Sequence, residues 1–419
     1  MKRLQAVCFI TGLGCALATV PAHAVDLSAS GFGTLGYAVS DQPYNYQRFV
    51  DEGGTFKRDT VLGGQLDAKF SAEWSATVQA KVAPSLNNDE DWSLTASWAF
   101  VSWRPGNDWL LRLGKQRVPM YLNSENMDVG QTYDFARLPF EMYGISPSND
   151  FKGLYVSRTW MPELGETTLD VFHGEADLKA RAHLRDAGAI FMPVCTTITG
   201  AVLTLKQDSS TWRVGLHHTV TRRRDGQDFP SHYPLSALAP LYRVGNAMPG
   251  SEPVGYTSSI VNDVITLGGD IEIAPNWRLV SELARNIQMR TENGANTAGG
   301  YVAVLHKMGA LTPYVSYARL RSMGVSVQNA DNLNAAQIPG DPYGLNYTQR
   351  AASDAIMVYD QDTLALGASY ALTAQSKLKA EWARTRIGNR SATVDSPPGE
   401  DVVRRQRINV LSLNYSFVF

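Results

Sequence analysis

Short segments in which apolar and polar residues alternate recur along almost the entire chain. In the segment 74–82, apolar or small residues alternate with Ser75, Thr77, Gln79 and Lys81. An alternation with a period of two predicts a β-strand that has one apolar and one polar face. The same pattern predicts sixteen strands, at 26–39, 58–70, 74–84, 92–103, 109–117, 151–160, 166–174, 196–206, 211–221, 264–273, 277–287, 300–308, 312–321, 361–372, 376–387 and 403–419.

The connections between the predicted strands alternate in length. After the first strand, long and short connections follow each other, and the long ones hold most of the Pro, Asn, Asp and Gly. Each strand has about the 9–11 residues that a tilted transmembrane strand needs. An even strand count, with short turns at one rim and long loops at the other, is typical of a bacterial outer-membrane barrel. The pattern therefore predicts an all-β fold, a transmembrane antiparallel β-barrel of 16 strands with short periplasmic turns and long extracellular loops.

The positions of four tryptophans support this arrangement. Trp74, Trp109, Trp212 and Trp277 each begin, or nearly begin, a strand that follows a short turn. An indole ring with its polar N–H group suits a membrane–water interface. We therefore expect these rings to form one half of an aromatic girdle at the short-turn rim.

The stretch SGFGTLGY contains Gly31-x-Gly33-x-x-Gly36, the spacing of a dinucleotide-binding fingerprint. That fingerprint requires a turn between a strand and a helix, because the helix N-terminus receives the pyrophosphate. Here the glycines lie within an alternating segment, so we place them in the first strand of a barrel that must curve to close. The sequence contains no Walker A, HExxH or GxSxG motif. We therefore expect no cofactor and no enzymatic activity.

The first 24 residues have the features of a secretory signal peptide, with a basic start, an apolar stretch and Ala22-x-Ala24 before Val25. The remaining residues, 25–419, are expected to form a single barrel domain. Of the 38 basic residues, Lys2 and Arg3 leave with the signal, so 36 remain beside 40 acidic residues. This balance argues against a nucleic-acid partner.

Cysteine and histidine give no sign of a disulfide or a metal centre. Cys195 is the one cysteine after the signal, so no internal disulfide can form. His217 and His218 are adjacent, and adjacent residues on a strand point to opposite faces, which argues against a shared zinc ion. Two basic runs, Arg222–Arg224 and 404–407, lie at the long-loop ends of strands, where we expect them to bind lipopolysaccharide phosphates or to be simply solvated, and not to bind nucleic acid.

The last strand carries the most specific signal. In INVLSLNYSFVF, apolar residues that include Tyr415, Phe417 and Phe419 alternate with mainly small or polar ones. With this ending, the signal peptide and the strand pattern, the chain resembles the Gram-negative porin family over essentially its whole mature length. The resemblance implies an outer-membrane location, a homotrimer, contact with outer-membrane lipid and lipopolysaccharide, and recognition of the terminal strand by the barrel assembly machinery.

In porins the loop after the fifth strand folds inward, so the resemblance implies that 118–150 is the constriction loop. Its candidate constriction acids are Glu125, Asp128, Asp134 and Glu141. The alternation places candidate basic residues on the lumen face of the wall, namely Lys69, Lys81, Arg112, Arg213 and Lys379. Opposed charges across a narrow aqueous gap create a transverse field that favours small polar solutes. The alternation leaves open which of Arg319 and Leu320 points inward.

The function that this pattern favours is a water-filled channel for passive diffusion of small hydrophilic solutes and ions. One alternative is a substrate-specific channel for anions or carboxylates, with convergent arginines in its lumen. A second is an outer-membrane barrel enzyme such as a lipase, which requires a Ser/His pair on the outer face at one height, and the strand assignment offers none. A third is an adhesin or receptor that binds through its long loops.

Overall fold

A computed structural model of the protein describes residues 25–144, 150–234, 252–335, 337–338, 340–341 and 344–419. The expected signal peptide, 1–24, lies outside the described residues. The strands are β1 (Asp26–Ser40), β2 (Val61–Lys69), β3 (Trp74–Pro84), β4 (Trp92–Gly106), β5 (Trp109–Arg117), β6 (Asp150–Trp160), β7 (Glu166–Leu184), β8 (Gly188–Gln207), β9 (Ser210–Arg223), β10 (Phe229–His232), β11 (Gly255–Thr257), β12 (Ile260–Ala274), β13 (Trp277–Met289), β14 (Thr297–His306), β15 (Leu311–Ser322), β16 (Asp360–Thr373), β17 (Ser376–Ile387) and β18 (Arg407–Val418).

Sixteen of these strands form one closed antiparallel barrel, while β10 and β11 form a separate two-stranded sheet. Barrel strands pair with their neighbours along the chain, and β9 pairs with β12. The ring closes between β1 and β18, where Phe32 lies opposite Val418. A closed barrel has no unpaired edge, which is the condition for strands to cross a bilayer. The predicted sixteen-stranded barrel is confirmed.

The hairpin of β7 and β8 differs most from the predicted strands. The prediction placed a long loop at 175–195, but these residues continue two strands of 19 and 20 residues to a short turn at 185–187. The alternation in fact persists here, because Ala176 and Ala182 are buried between charged neighbours. The hairpin therefore extends well beyond the length that a bilayer requires.

The described parts of the long connections contain three α-helices and one 3-10 helix (Gly130–Thr132), none of which the alternation predicted. Helix α1 (Phe140–Tyr143) follows β5, whereas α2 (Ser326–Ala335) and α3 (Leu345–Ala355) lie between β15 and β16. Ala330 and Leu333 of α2 belong to a buried cluster with Ile356. Helices this short and polar depend on such packing, so the local sequence gives little sign of them. No helix in the described part of the chain is both long and apolar enough to cross a membrane.

The outer surface of the barrel is apolar because each strand turns one set of side chains outward. Leu267 on β12 and Leu283 on β13 are typical, at 48% and 56% exposed. At the short-turn rim, the four tryptophans named above are exposed as well. On β15, Leu320 is fully buried and Arg319 is exposed. Leu320 therefore points into the barrel and Arg319 points outward, which answers the question that the sequence left open.

The glycines of SGFGTLGY make room at the seam between β1 and β18. Gly31 and Gly33 lie on the same outward face as Leu35. A β-carbon on Gly31 would collide with the ring of Phe419, and one on Gly33 would collide with the ring of Phe417. The backbone of Gly31 also exchanges two hydrogen bonds with Phe419, of 2.8 and 3.0 Å. These glycines therefore allow the terminal aromatic rings to lie flat against the first strand.

We expect Gly31→Val with Gly33→Val to impair closure of the barrel. Overpacking of this kind costs about 1–3 kcal/mol. The measurement is the fraction of folded, heat-modifiable protein after refolding into detergent. Gly64→Val on β2 is the matched control, because a β-carbon there meets no atom closer than 3.9 Å. Equal folded fractions for the double variant and the control would contradict the seam argument.

Candidate functional site

The connection after β5 runs through the interior of the barrel. Its described part, residues 118–144, is called the lumen loop below. The backbone N–H of Leu122 donates to Glu282 on β13 at 2.8 Å, and that of Ala136 donates to the Tyr314 hydroxyl on β15 at 2.8 Å. Because β13 and β15 lie far around the ring from β5, the loop crosses the lumen.

Apolar contacts hold the lumen loop against this far wall. The ring of Phe135 packs edge-on against Tyr314 and Tyr301, with centroid distances of 5.1 and 6.1 Å. Met142 and Tyr143 belong to the same buried cluster. The loop thus fills one side of the lumen with packed side chains, as a domain core would.

A buried carboxylate on the far wall fixes the loop further. Glu282 is 1% exposed, and it accepts hydrogen bonds from the backbone of Leu122, the Tyr301 hydroxyl at 2.9 Å and the Tyr143 hydroxyl. Three donors on one carboxylate offset the cost of removing it from water. Strand alternation can place Glu282 on the lumen face, but it does not show that this residue holds the loop.

Asp128 of the lumen loop bridges two basic residues of the wall. Its carboxylate lies 2.6 Å from the Lys81 ammonium and 2.6 Å from the Arg117 guanidinium. Burial alone would raise the pKa of Asp128, but the charges of Lys81 and Arg117 outweigh it and hold the pKa well below the ordinary 3.8. The stabilisation from this depressed pKa is therefore present above pH 3.8 and is lost as the pH falls through the lowered value.

Asp134 makes a second bridge on the opposite side of the lumen. It lies 2.9 Å from Lys377, 3.4 Å from Arg278 and 2.8 Å from the Ser369 hydroxyl. Burial alone would raise the pKa of Asp134. The hydrogen bond and charge of Lys377, the hydrogen bond of Ser369 and the charge of Arg278 outweigh burial, so the pKa lies below its ordinary value. The two acids thus attach both flanks of the loop to the wall.

The other two predicted acids differ from each other. Glu125 is 45% exposed and lies 3.7 Å from the Arg112 guanidinium. Glu141 is 2% exposed in α1 and accepts hydrogen bonds from Gln361 and Thr363, at 2.7 and 2.5 Å. Glu125 therefore faces open lumen, whereas Glu141 anchors the loop and does not line a passage.

The predicted basic residues also divide into two groups. Arg213 donates to the Tyr121 carbonyl, and Lys379 donates to the carbonyls of Gly130 and Phe135. With Lys81 and Arg112, they all contact the lumen loop. Lys69 is exposed near the short-turn end, and among the described residues nothing joins it to the loop.

Two basic contacts were missed from the sequence. Arg117 pairs with Asp128, although simple alternation from Arg112 turns it outward. Gly114 has a φ of +138°, which interrupts the regular strand between them. Lys377 shares the face of Lys379, so alternation would have found it.

A cavity of about 270 Å³ lies between the lumen loop and the connection 41–60. Asp59 bridges Arg58 and Arg137 there, each at 2.7 Å. Burial raises the pKa of Asp59, but the two guanidinium charges outweigh it and lower the pKa overall. The lining also includes Arg48, Lys57 and Asp128, so basic side chains outnumber acidic ones.

No family model matches the sequence, and no similar sequence is found among characterised proteins. Solved structures are similar at the level of the fold. OmpF of Salmonella typhi, in a complex with daunomycin, has a TM-score of 0.51 and 12% identity, covering 93% of this chain and 97% of its own. The outer-membrane channel DcaP of Acinetobacter baumannii has a TM-score of 0.50 and 12% identity, over 94% and 97%. OprB of Pseudomonas putida has a TM-score of 0.50 and 11% identity, over 94% of both chains.

The chain has the fold of the outer-membrane porins. Its terminal strand fits this porin fold, with Tyr415, Phe417 and Phe419 facing outward in one aromatic stack. The successive ring centroids are 5.6 and 6.1 Å apart.

At the long-loop end of the porin fold, the β7–β8 hairpin meets loops from the opposite side of the barrel. Arg181 pairs with Asp395, between β17 and β18, at 2.6 Å. Arg185 pairs with Asp354 on α3 at 3.0 Å, and both side chains are almost fully buried. Because β7 and β17 lie eight places apart in the ring of sixteen, these contacts close over the mouth of the barrel.

Metal ligands are not grouped in the part of the chain that the structure describes, where no three His, Cys, Asp or Glu residues lie close enough to hold an ion. His218 is exposed and pairs with Asp263 at 2.7 Å, whereas His217 is buried on the other face.

Proposed function

We propose that this protein is an outer-membrane porin through which small hydrophilic solutes and ions diffuse passively. The observation that carries the proposal is a closed barrel with an apolar outer band and a charged lumen crossed by an inward loop. An apolar band favours lipid on the outside. Charged and polar side chains around the lumen favour water inside it.

In this proposal, an N-terminal signal directs export, the short turns face the periplasm and the long loops face the medium. By resemblance, the barrel assembly machinery recognises the strand with Tyr415, Phe417 and Phe419, and the channel is a homotrimer surrounded by lipid and lipopolysaccharide. Glu125, Asp128 and Asp134 set the charge of the constriction together with Lys81, Arg112, Arg213 and Lys379. Glu141 contributes by holding the loop in place.

Conductance is the direct test of the proposal. Purified protein added to a planar bilayer should produce stepwise increases in current, and proteoliposomes should swell in small sugars but not in large dextrans. A folded barrel that conducts no ions and admits no solute would overturn the proposal.

A second candidate is a channel selective for anions or carboxylates. It is favoured by the basic excess around the 270 Å³ cavity, where Arg58 and Arg137 converge. The zero-current potential in a salt gradient separates the two functions. A strong anion preference that saturates with a carboxylate supports the second candidate, and weak selectivity without saturation supports general diffusion.

The proposed orientation predicts which cysteines are accessible from outside. In a Cys195→Ser background, Glu400→Cys should react with an impermeant maleimide on intact cells. Asn107→Cys, in the turn between β4 and β5, should react only after the outer membrane is permeabilised, because that turn faces the periplasm. Equal labelling of both sites on intact cells would contradict the orientation.

A further inference from the structure

A second cavity, of about 110 Å³, lies between the first residues of the lumen loop and the inner wall of β7–β9, β12 and β13. Val118, Met120, Ile198 and Val264 give it mainly apolar walls. An apolar cavity of about 150 Å³ holds a benzene ring in an engineered protein. This cavity therefore has the size and lining for part of a single ring or a short branched chain.

Two amide oxygens on the lining have no hydrogen-bond partner in the described structure. Asn286 donates its amide N–H to the Ala295 carbonyl at 2.6 Å, which fixes the orientation of the amide and leaves its Oδ1 buried and unpaired. Oδ1 of Asn262 is also buried and unpaired. Buried acceptors without donors are uncommon, because each loses its water without compensation.

A buried histidine lies beside the same wall. His217 is 4% exposed and lies directly opposite Val264, a lining residue, in the pairing of β9 with β12. Among the described residues, neither ring nitrogen has a hydrogen-bond partner. The polar groups around the cavity thus include two unpaired amide oxygens and, beside the wall, a buried imidazole ring.

Charge on the lining is balanced. Asp150 is the one ionisable carboxylate among the lining residues, and it pairs with Arg117 at 2.9 Å and Lys115 at 3.9 Å. An anionic ligand would meet the two unpaired amide oxygens and the carboxylate of Asp150, and a cation would find no excess negative charge. The cavity therefore favours an uncharged ligand.

We infer that this cavity is a binding site for small uncharged amphipathic solutes, with an apolar ring or branched chain and one or two hydroxyl or N–H donors. The apolar part lies against Val118, Met120, Ile198 and Val264, and the donors meet Oδ1 of Asn262 and Asn286. The inference rests on the proposed function in that the channel brings such solutes to the lumen. The site selects them by the pairing of apolar walls with unpaired acceptors.

The test is binding to the full-length protein folded in detergent, measured by saturation-transfer difference NMR. Catechol is the probe, benzoate is the comparator without donors at pH 7, and inositol is the comparator without an apolar face. We expect catechol to bind in the millimolar range, benzoate about tenfold more weakly, and inositol not at all. Equal signals from all three compounds would overturn the inference.

Two variants test the location of the site. Ala176→Leu extends a lining side chain into the cavity and should abolish catechol binding, and Asn262→Val should weaken it about tenfold. Asn107→Val, in the turn at the opposite end of the barrel, is the control and should bind as wild type. If Ala176→Leu does not fold, Asn262→Val decides alone, and unchanged catechol affinity in the variant that folds would overturn the inference.

The binding result is independent of conduction. A protein that conducts ions but does not bind catechol retains the proposed function and loses this inference. A protein that binds catechol with the expected variant pattern but conducts nothing retains the inference about the cavity and loses the proposed function.

Discussion

Replacing Asp128 and Asp134 with asparagine is expected to shift the ion preference of the channel strongly towards anions. Each substitution removes one negative charge from between two basic partners, Lys81 and Arg117 in one case and Lys377 and Arg278 in the other. The two lysines lose their acidic partner, whereas Arg117 keeps Asp150 and Arg278 keeps Asp270. Unit charges 4 Å apart interact by about 1 kcal/mol in water and about 4 kcal/mol near a protein surface. A change of only about 1.4 kcal/mol alters an equilibrium about tenfold, so we expect a several-fold change in permeability ratio.

The measurement is the zero-current potential of purified channels in a salt gradient. Lys81→Gln with Lys377→Gln should move the potential in the opposite direction. Both shifts should diminish near 1 M salt, where the Debye length is about 3 Å. Asp225→Asn is the matched control, because Asp225 lies beyond the end of β9 and pairs with Arg223 rather than with a partner of Asp128 or Asp134. A wild-type potential for the double aspartate variant at low salt would falsify the role of the loop acids.

Arg181→Gln with Arg185→Gln is expected to open the long-loop mouth and raise the single-channel conductance. These substitutions remove the pairs that join the β7–β8 hairpin to Asp395 and Asp354 on the opposite side. Removing one partner of a buried ion pair destabilises the folded state by about 3–5 kcal/mol, because the charge of the other partner stays buried. The released hairpin should no longer hold one closed position, and the current should become larger or noisier.

The control for this variant is an ion pair made to the same hairpin. Arg224 pairs with Asp177 of β7 at 2.7 Å, but both side chains are largely exposed. An exposed pair contributes about 0–1 kcal/mol, so Arg224→Gln should leave the conductance unchanged. If the double arginine variant gives wild-type conductance and current noise, the hairpin does not restrict the mouth.

The lumen residues separate what alternation can predict from what it cannot. Alternation assigned Lys81, Arg112, Arg213 and Lys379 to the lumen face, and the structure has all four in contact with the lumen loop. It gave no partners, because facing the lumen is a local property and pairing depends on the path of a distant segment. Asp134, for example, meets a lysine 243 positions along the chain.

The loop residues were less accessible to sequence reasoning. Glu141 was expected to face the passage, but α1 buries it against Gln361 and Thr363. Arg117 was missed because Gly114 interrupts the regular strand before it. For Arg117, a positive φ reorients a side chain that a period of two assigns to the other face. Glu141 lies in a loop where no strand period applies, and a helical turn decides where its side chain points.

The sequence by itself determined the number of barrel strands, their order, the outward faces of most of them and the rim that carries the tryptophans. It could do so because a bilayer requires every strand to have an apolar outward face of sufficient length. This requirement produces an alternation with a period of two within each strand, which is visible in the local sequence. Only the tertiary structure decided how the lumen loop crosses the barrel, which charges pair, and that the β7–β8 hairpin meets the far rim. These features depend on contacts between segments far apart in the chain, and no local periodicity encodes them.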